Sequence, residues 1–355
     1  MRLIRWRGLL MVALVCMAAG VQAQLALPCE AADKACLRQA IRSHVVRQPD
    51  FWRADFSRAL PDRVGYAPPE LIQFVTLDNL KEDYPERPRA PAPDEAFLAD
   101  VRAALAELPA PVLRLFEQRL IGIYLCEELG GTGWTDVVRD SSGRTIGGII
   151  VLDAGVLKQR TANQWATWKE NTPFKPDARW QLQARIEDGD RDTRLYAIQY
   201  ILLHELGHVL SLGSDVHPSH LIEPKEVAEG DRFPFFELSW RTDQRRNRYF
   251  SLFDLTLARR DEVAYYFGAK LGAGDTLPLY HALEQTNFAT LYALTSPFDD
   301  FAESFASYVH TVLMRKPWEI KLTHDGQVVK TFKTCWDEPR CAAKRALLED
   351  VLRRP

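Results

Sequence analysis

The stretch Tyr200 to Leu212, "YILLHELGHVLSL", constrains this chain more than any other. Leu195, Ile198, Leu202, Leu206 and Val209 recur every three or four positions, the period of an α-helix with a buried face. Within the run, His204, Glu205 and His208 bring metal-binding and acid–base chemistry. Residues four apart share a helix face. His204 and His208 can therefore direct two imidazoles at one ion, while Glu205 stands beside the first without having to ligate it. Asp190 or Asp192 is placed to cap the helix, and Gly213 to end it.

Two histidines leave the site incomplete. The sequence just after them does not finish it. A third ligand supplied locally needs Gly three residues beyond the second histidine, His or Asp six beyond, and a later methionine turn. Those positions hold Ser211 and Ser214, and the only methionine beyond the first 23 residues is Met314, so the metzincin pattern is excluded. Asp215 and His217 are off register, and "DVHPSH" reads as a surface loop. A second helix, "SPFDDFAESFASYVH" from Ser296 to His310, offers the alternative. Asp299 and Glu303 lie four apart on one stripe, with His310 two turns further and more often packed than ligating. Phe301, Phe305 and Val309 cover other faces. The helix dipole favours acids in a first turn, which accounts for Asp299 or Asp300 but not for a second acid on the same stripe.

"HELGH" followed by "DDFAESF" resembles the gluzincin zinc metallopeptidases, in particular the group of the anthrax lethal factor peptidase domain and the Mlc titration factor peptidase. The resemblance covers residues 195 to 310. It implies an acidic third ligand on a helix, another acid four residues later that supports a ligand histidine, and a tyrosine seven residues before the ligand. Aligning Phe301-Ala302 with the family's acid-x-Phe-Ala run places the ligand at Asp299, the supporting acid at Glu303 and the tyrosine at Tyr292. The chain departs from the family in having aspartate at 299, where glutamate is usual, and glutamate at 303, where aspartate is common. The 90 residues between the two motifs are also many for this group. Glu303 as the zinc ligand, with Asp299 orienting a histidine, is the alternative. The resemblance further implies one Zn2+ ion, Glu205 as general base and Tyr292 as oxyanion donor; Tyr265, Tyr266 and Tyr280 are other candidates for that donor, which no spacing selects.

The first 23 residues have a basic start at Arg2, Arg5 and Arg7, an apolar stretch from Leu9 to Ala19 and a small-residue cleavage site ending at Ala23. This pattern predicts a secretory signal peptide and an exported, periplasmic or secreted product. No segment is long and apolar enough to predict a membrane span. Without those residues, 42 Lys and Arg face 48 Asp and Glu. That balance has no basic block and excludes nucleic acid as an expected partner. Five cysteines remain: Cys29 with Cys36 and Cys335 with Cys341 read as two short disulfide loops, and Cys126 as a buried thiol.

The composition and pattern predict an α+β, zincin-like domain over 94–355, mainly helical with a small antiparallel sheet. A smaller helical segment, 24–93, precedes it and ends in the proline-rich connector "YPERPRAPAPDE". Ile146 to Leu152 reads as a strand, with "WTDVVRD" as its hairpin partner and a turn at Ser142-Gly143. It is either the edge strand that receives extended substrate or an ordinary core strand. The span from Trp165 to Gly189 reads as a loop, its tryptophans 165, 168 and 180 packing or lining a cleft. Helices are expected near 252–271, 277–292 and 299–315, and a hairpin turning at Asp325-Gly326. The function expected is hydrolysis of a peptide or protein substrate. A zinc amidase acting on cell-wall peptides and a non-catalytic zinc-stabilised binding protein are the alternatives.

Overall fold

The computed structural model describes residues 25–212, 214–219, 222–228 and 230–354. The expected signal peptide and the helix stop at Gly213 lie outside them. In chain order, the first part forms α1 (Lys34–Ser43), α2 (Arg53–Phe56), β1 (Val64–Tyr66) and α3 (Pro69–Lys81). Next come α4 (Glu95–Ala106), α5 (Ala110–Glu117), β2 (Leu120–Cys126), β3 (Gly133–Arg139) and β4 (Thr145–Asp153). Then follow α6 (Ala154–Leu157), α7 (Ala162–Asn171), β5 (Trp180–Arg185), the long α8 (Arg194–Ser211) and the hairpin β6 (Trp240–Asp243) and β7 (Arg248–Ser251). The chain ends with α9 (Thr276–Leu283), α10 (Pro297–Tyr308), the hairpin β8 (Glu319–His324) and β9 (Gln327–Lys333), and α11 (Ala342–Arg353).

The apolar runs of β2 and β4 are continuous because the sheet they centre is buried on both faces. Leu120, Ile123, Leu125, Ile150 and Leu152 join the large core that holds α8 and α10. The intervening Ile121, Tyr124, Cys126, Ile149 and Val151 join a smaller core with α1 and α3. Cys126 is a buried free thiol there, while Cys29–Cys36 and Cys335–Cys341 form disulfides.

The fold is α+β, but its main sheet is mixed where an antiparallel one was expected. The strand order is β1-β2-β4-β3, with β1, β2 and β4 parallel and only β3 antiparallel. The helices α3 to α5 carry the chain back between β1 and β2, the crossover that a parallel pair requires. Segment 24–93 thus contributes an edge strand to the sheet beyond the proline-rich connector. The two smaller sheets are antiparallel. The β8–β9 hairpin turns at Asp325 and Gly326 as expected, both with positive φ.

Other expectations change. The stretch read as a loop from Trp165 to Gly189 contains most of α7 and all of β5. Residues 252–271 form turns and one short 3-10 helix (Arg260–Glu262), with Tyr266 and Gly268 at positive φ, a geometry that an α-helix cannot accommodate. Asp192 does not cap α8; it accepts the Asn163 amide at 2.8 Å, and Thr193 holds the cap position. His217 is buried among Phe235, Phe236 and Phe301 rather than on a surface loop.

Candidate metal centre

α8 and α10 cross at Gly207 and Ala302. A Cβ added at Gly207 would lie 2.6 Å from the Ala302 Cα, so only glycine permits this approach. The crossing brings "HELGH" against the "DFAE" turn of the second helix. The Nε2 atoms of His204 and His208 stand 3.1 Å apart, and Asp299 Oδ1 is 3.8 Å from each. Four-coordinate zinc with bonds of about 2.0–2.1 Å has ligand-to-ligand edges of about 3.3 Å. The observed spacings match that edge to within about half an ångström, so His204, His208 and Asp299 fit a metal ion.

Asp299 and His204 are held from behind. The Ser296 hydroxyl caps α10 by accepting the Asp299 amide at 3.0 Å. Ser296 and Thr295 donate to Asp299 Oδ2 at 2.6 and 3.0 Å, which leaves Oδ1 facing the histidines. The His204 Nδ1–H donates to Glu303 Oε1 at 3.0 Å, fixing the tautomer whose Nε2 lone pair faces the ion position. Glu303 lies behind the imidazole with its carboxylate fully engaged. It also accepts from Thr290 at 2.8 Å, Tyr200 at 3.3 Å and Lys169 at 3.3 Å. Burial pushes its carboxyl up, but Lys169 and the bond from His204 outweigh this and hold it down to about 2. The structure thus places Asp299 with the two histidines and Glu303 behind one of them.

Glu205 lies beside His204, against β3, and lines the same small cavity as His204 and Tyr292. Thr135 Oγ1 donates to its Oε2 at 2.6 Å. Gly133 crosses so closely that a Cβ there would sit 2.3 Å from Glu205 Oε1. Burial raises the Glu205 carboxyl above the usual range; His204 and the Thr135 hydroxyl offset only part of this. The Tyr292 ring stacks on the His204 ring at 5.3 Å and 19°. Burial, reinforced by Asp299, keeps the Tyr292 phenol protonated far above its ordinary range. A cavity of about 30 Å³ adjoins Glu205, lined by Thr132, Gly133, Lys169, Tyr266 and Tyr292 among others. It has room for a water molecule. The Asp299 and His208 side chains retain 19% and 17% exposure, so the donor set opens to solvent on that side.

The remaining candidates have other roles. Tyr265 and Tyr280 both donate to Glu170, at 2.9 and 3.0 Å, while Tyr266 lines the cavity. His310 is buried away from the donor set, where its Nε2–H is shared by the carbonyls of Ile186 and Pro317. Asp300 is also buried, paired with Lys344 and the Trp240 indole. Trp165 lines the cavity, Trp168 packs on Tyr266, and Trp180 lies against His324 on the second sheet. The edge strand over Glu205 is β3; Ile146 to Leu152 belongs to β4, which is interior.

Sequence reasoning missed Thr135, Gly133 and Lys169. Lys169 was the most legible of the three. Thr161 and Gln164 form a capping box at the start of α7. Ala162, Trp165, Ala166 and Lys169 follow at helical spacing, all buried. Set against known proteins, the sequence matches no family model and no curated protein, and no solved structure matches it.

Proposed function

We propose that this chain is an exported zinc metallopeptidase of gluzincin type that hydrolyses peptide bonds. One observation carries the reading. Three donor atoms converge on one point from two helices, and a buried carboxylate beside the first histidine is held by a strand hydroxyl. Among the described residues three side chains form the donor set, which leaves a coordination position open, the arrangement of a catalytic rather than a structural zinc site.

His204, His208 and Asp299 would hold a zinc ion, which when bound would supply Lewis acidity to polarise a carbonyl and to lower the pKa of a water toward neutral. Glu205 takes the proton from the attacking water and passes it to the leaving amine. Its raised carboxyl suits both halves of that task. The Tyr292 phenol, kept protonated, donates to the oxyanion as charge develops. Glu303 keeps His204 in its ligating tautomer, and Lys169 neutralises Glu303 inside the core.

The test is Glu205→Gln in the zinc-loaded protein, measured for zinc content and for cleavage of fluorescently labelled casein. The expected outcome is unchanged zinc with cleavage reduced by at least about 10²-fold. Full cleavage by this variant overturns the assignment of the base.

A further inference from the structure

At the far end of β3 from Glu205 lies a cavity of about 590 Å³, bounded by α5, the β3–β4 turn and the end of α8. Arg114, Arg119, Arg139 and Arg144 line it, together with Gln118 and Ser214, and among the described residues no acidic side chain does. Arg144 is held by Asp140 at 3.1 Å. Arg114, Arg119 and Arg139 make no ion pair or side-chain hydrogen bond among the described residues, and the Arg139 Nε is buried without a partner. The chain carries a net charge of −3, so four arginines around one cavity run against its overall balance. Guanidinium groups stay charged at any ordinary pH and repel one another unless an anion lies among them.

We propose that this cavity is a subsite for acidic side chains of the peptide substrate, a reading that rests on the metallopeptidase function proposed above. Thr135, Val137 and Arg139 alternate with Trp134 and Val138, which face the α3 side of the sheet. Arg139 therefore shares the α8 face with Thr135, whose hydroxyl holds Glu205. Four residues of strand separate them by about 13 Å, with a bulge between Val138 and Arg139. β3 leads away from Glu205 toward the arginines. A peptide extended antiparallel to it puts its N-terminal side over the cavity and its scissile bond at the donor set. Acidic residues about four positions before the cleaved bond then meet the guanidinium groups, whose planar forks match carboxylates. The substrate class is a peptide with an acidic stretch on the N-terminal side of the cleavage point.

The experiment uses the zinc-loaded protein and two fluorescein-labelled peptides that differ only in carrying Glu-Glu-Glu or Gln-Gln-Gln in their N-terminal half. Binding is followed by anisotropy in Glu205→Gln and cleavage in the wild type. Tighter binding of the Glu peptide by about tenfold or more is expected, with the preference collapsing in Arg114→Gln/Arg119→Gln and in Arg139→Gln. The first pair is exposed and forms no ion pair or side-chain hydrogen bond among the described residues, so its loss does not threaten folding. No preference in the wild type, or a preference that survives both variants, overturns the subsite. Competition by free glutarate at the same concentration as the peptide also overturns it, because it marks a small-anion pocket. Preferential binding with no cleavage of either peptide sustains the acidic-peptide subsite and counts against the peptidase reading instead.

Discussion

Replacing Lys169 with methionine tests the electrostatic support of the centre without requiring a known substrate. The side chain is 3% exposed, and its ammonium lies 3.2 Å from Glu170 and 3.3 Å from Glu303. It also sits 4.6 Å from the Tyr292 ring centroid. Methionine keeps most of the volume and removes the charge. Glu170 and Glu303 then keep their hydroxyl and imidazole donors but have no lysine between them. Removing one partner of a buried ion pair costs about 3–5 kcal/mol. For 355 residues and an unfolding entropy of about 2.1 cal/mol/K per residue, that is a fall of about 4–7 °C in Tm. Because Glu303 orients His204, zinc affinity is expected to fall about 10–100-fold as well. Differential scanning calorimetry and competition with a chromogenic chelator read the two effects. A Tm within about 1 °C of wild type, together with unchanged zinc affinity, refutes the reasoning.

Two further outcomes follow from the same geometry. Gly133→Ala forces Glu205 to move by about 1 Å, so cleavage is expected to fall by about 10²-fold with zinc content unchanged; wild-type cleavage contradicts the role of β3. His310 is buried and beside Lys316, which lowers its pKa from 6.5 to about 3. Its neutral form therefore supports the fold fully above pH 6.5, and that contribution falls by about 1.4 kcal/mol per unit as pH drops toward 3. Urea denaturation at pH 7 and pH 5 should show a smaller loss for His310→Gln than for wild type, and equal losses contradict the burial argument. The contribution of Glu303 is fully present above 4.5 and is lost only as pH falls from there toward about 2, so it does not confuse that comparison.

Local chemistry was legible in the sequence wherever one element carried the whole signal. The α8 period, the histidines four apart, the acids on α10, the β3–β4 hairpin and the Asp325-Gly326 turn all appear as read. Features set by packing between distant segments were not legible. The parallel pairing of β1 with β2 depends on where three helices return the chain. The closeness of Gly133 to Glu205 depends on a strand 70 residues away in sequence lying across α8. The choice between Asp299 and Glu303 could not be made from spacing alone, since both lie on one helix stripe. The proposal of Asp299 rests on the Gly207–Ala302 contact, which sets the height of α10 against α8, and on Lys169, Thr290 and Tyr200 surrounding Glu303. The arginine cavity draws on two arginines near α5 and two near the β3–β4 turn, so no basic run announced it.

The central claim is that Asp299 completes the metal site while Glu303 only orients His204. Zinc content after saturation and desalting, measured by mass spectrometry of the metal in wild type, Asp299→Ala and Glu303→Gln, tests it most directly. The account predicts about one zinc per chain in the wild type and in Glu303→Gln, the latter with weaker affinity, and loss of zinc in Asp299→Ala. No zinc in the wild type, or zinc retained in Asp299→Ala and lost in Glu303→Gln, would contradict it.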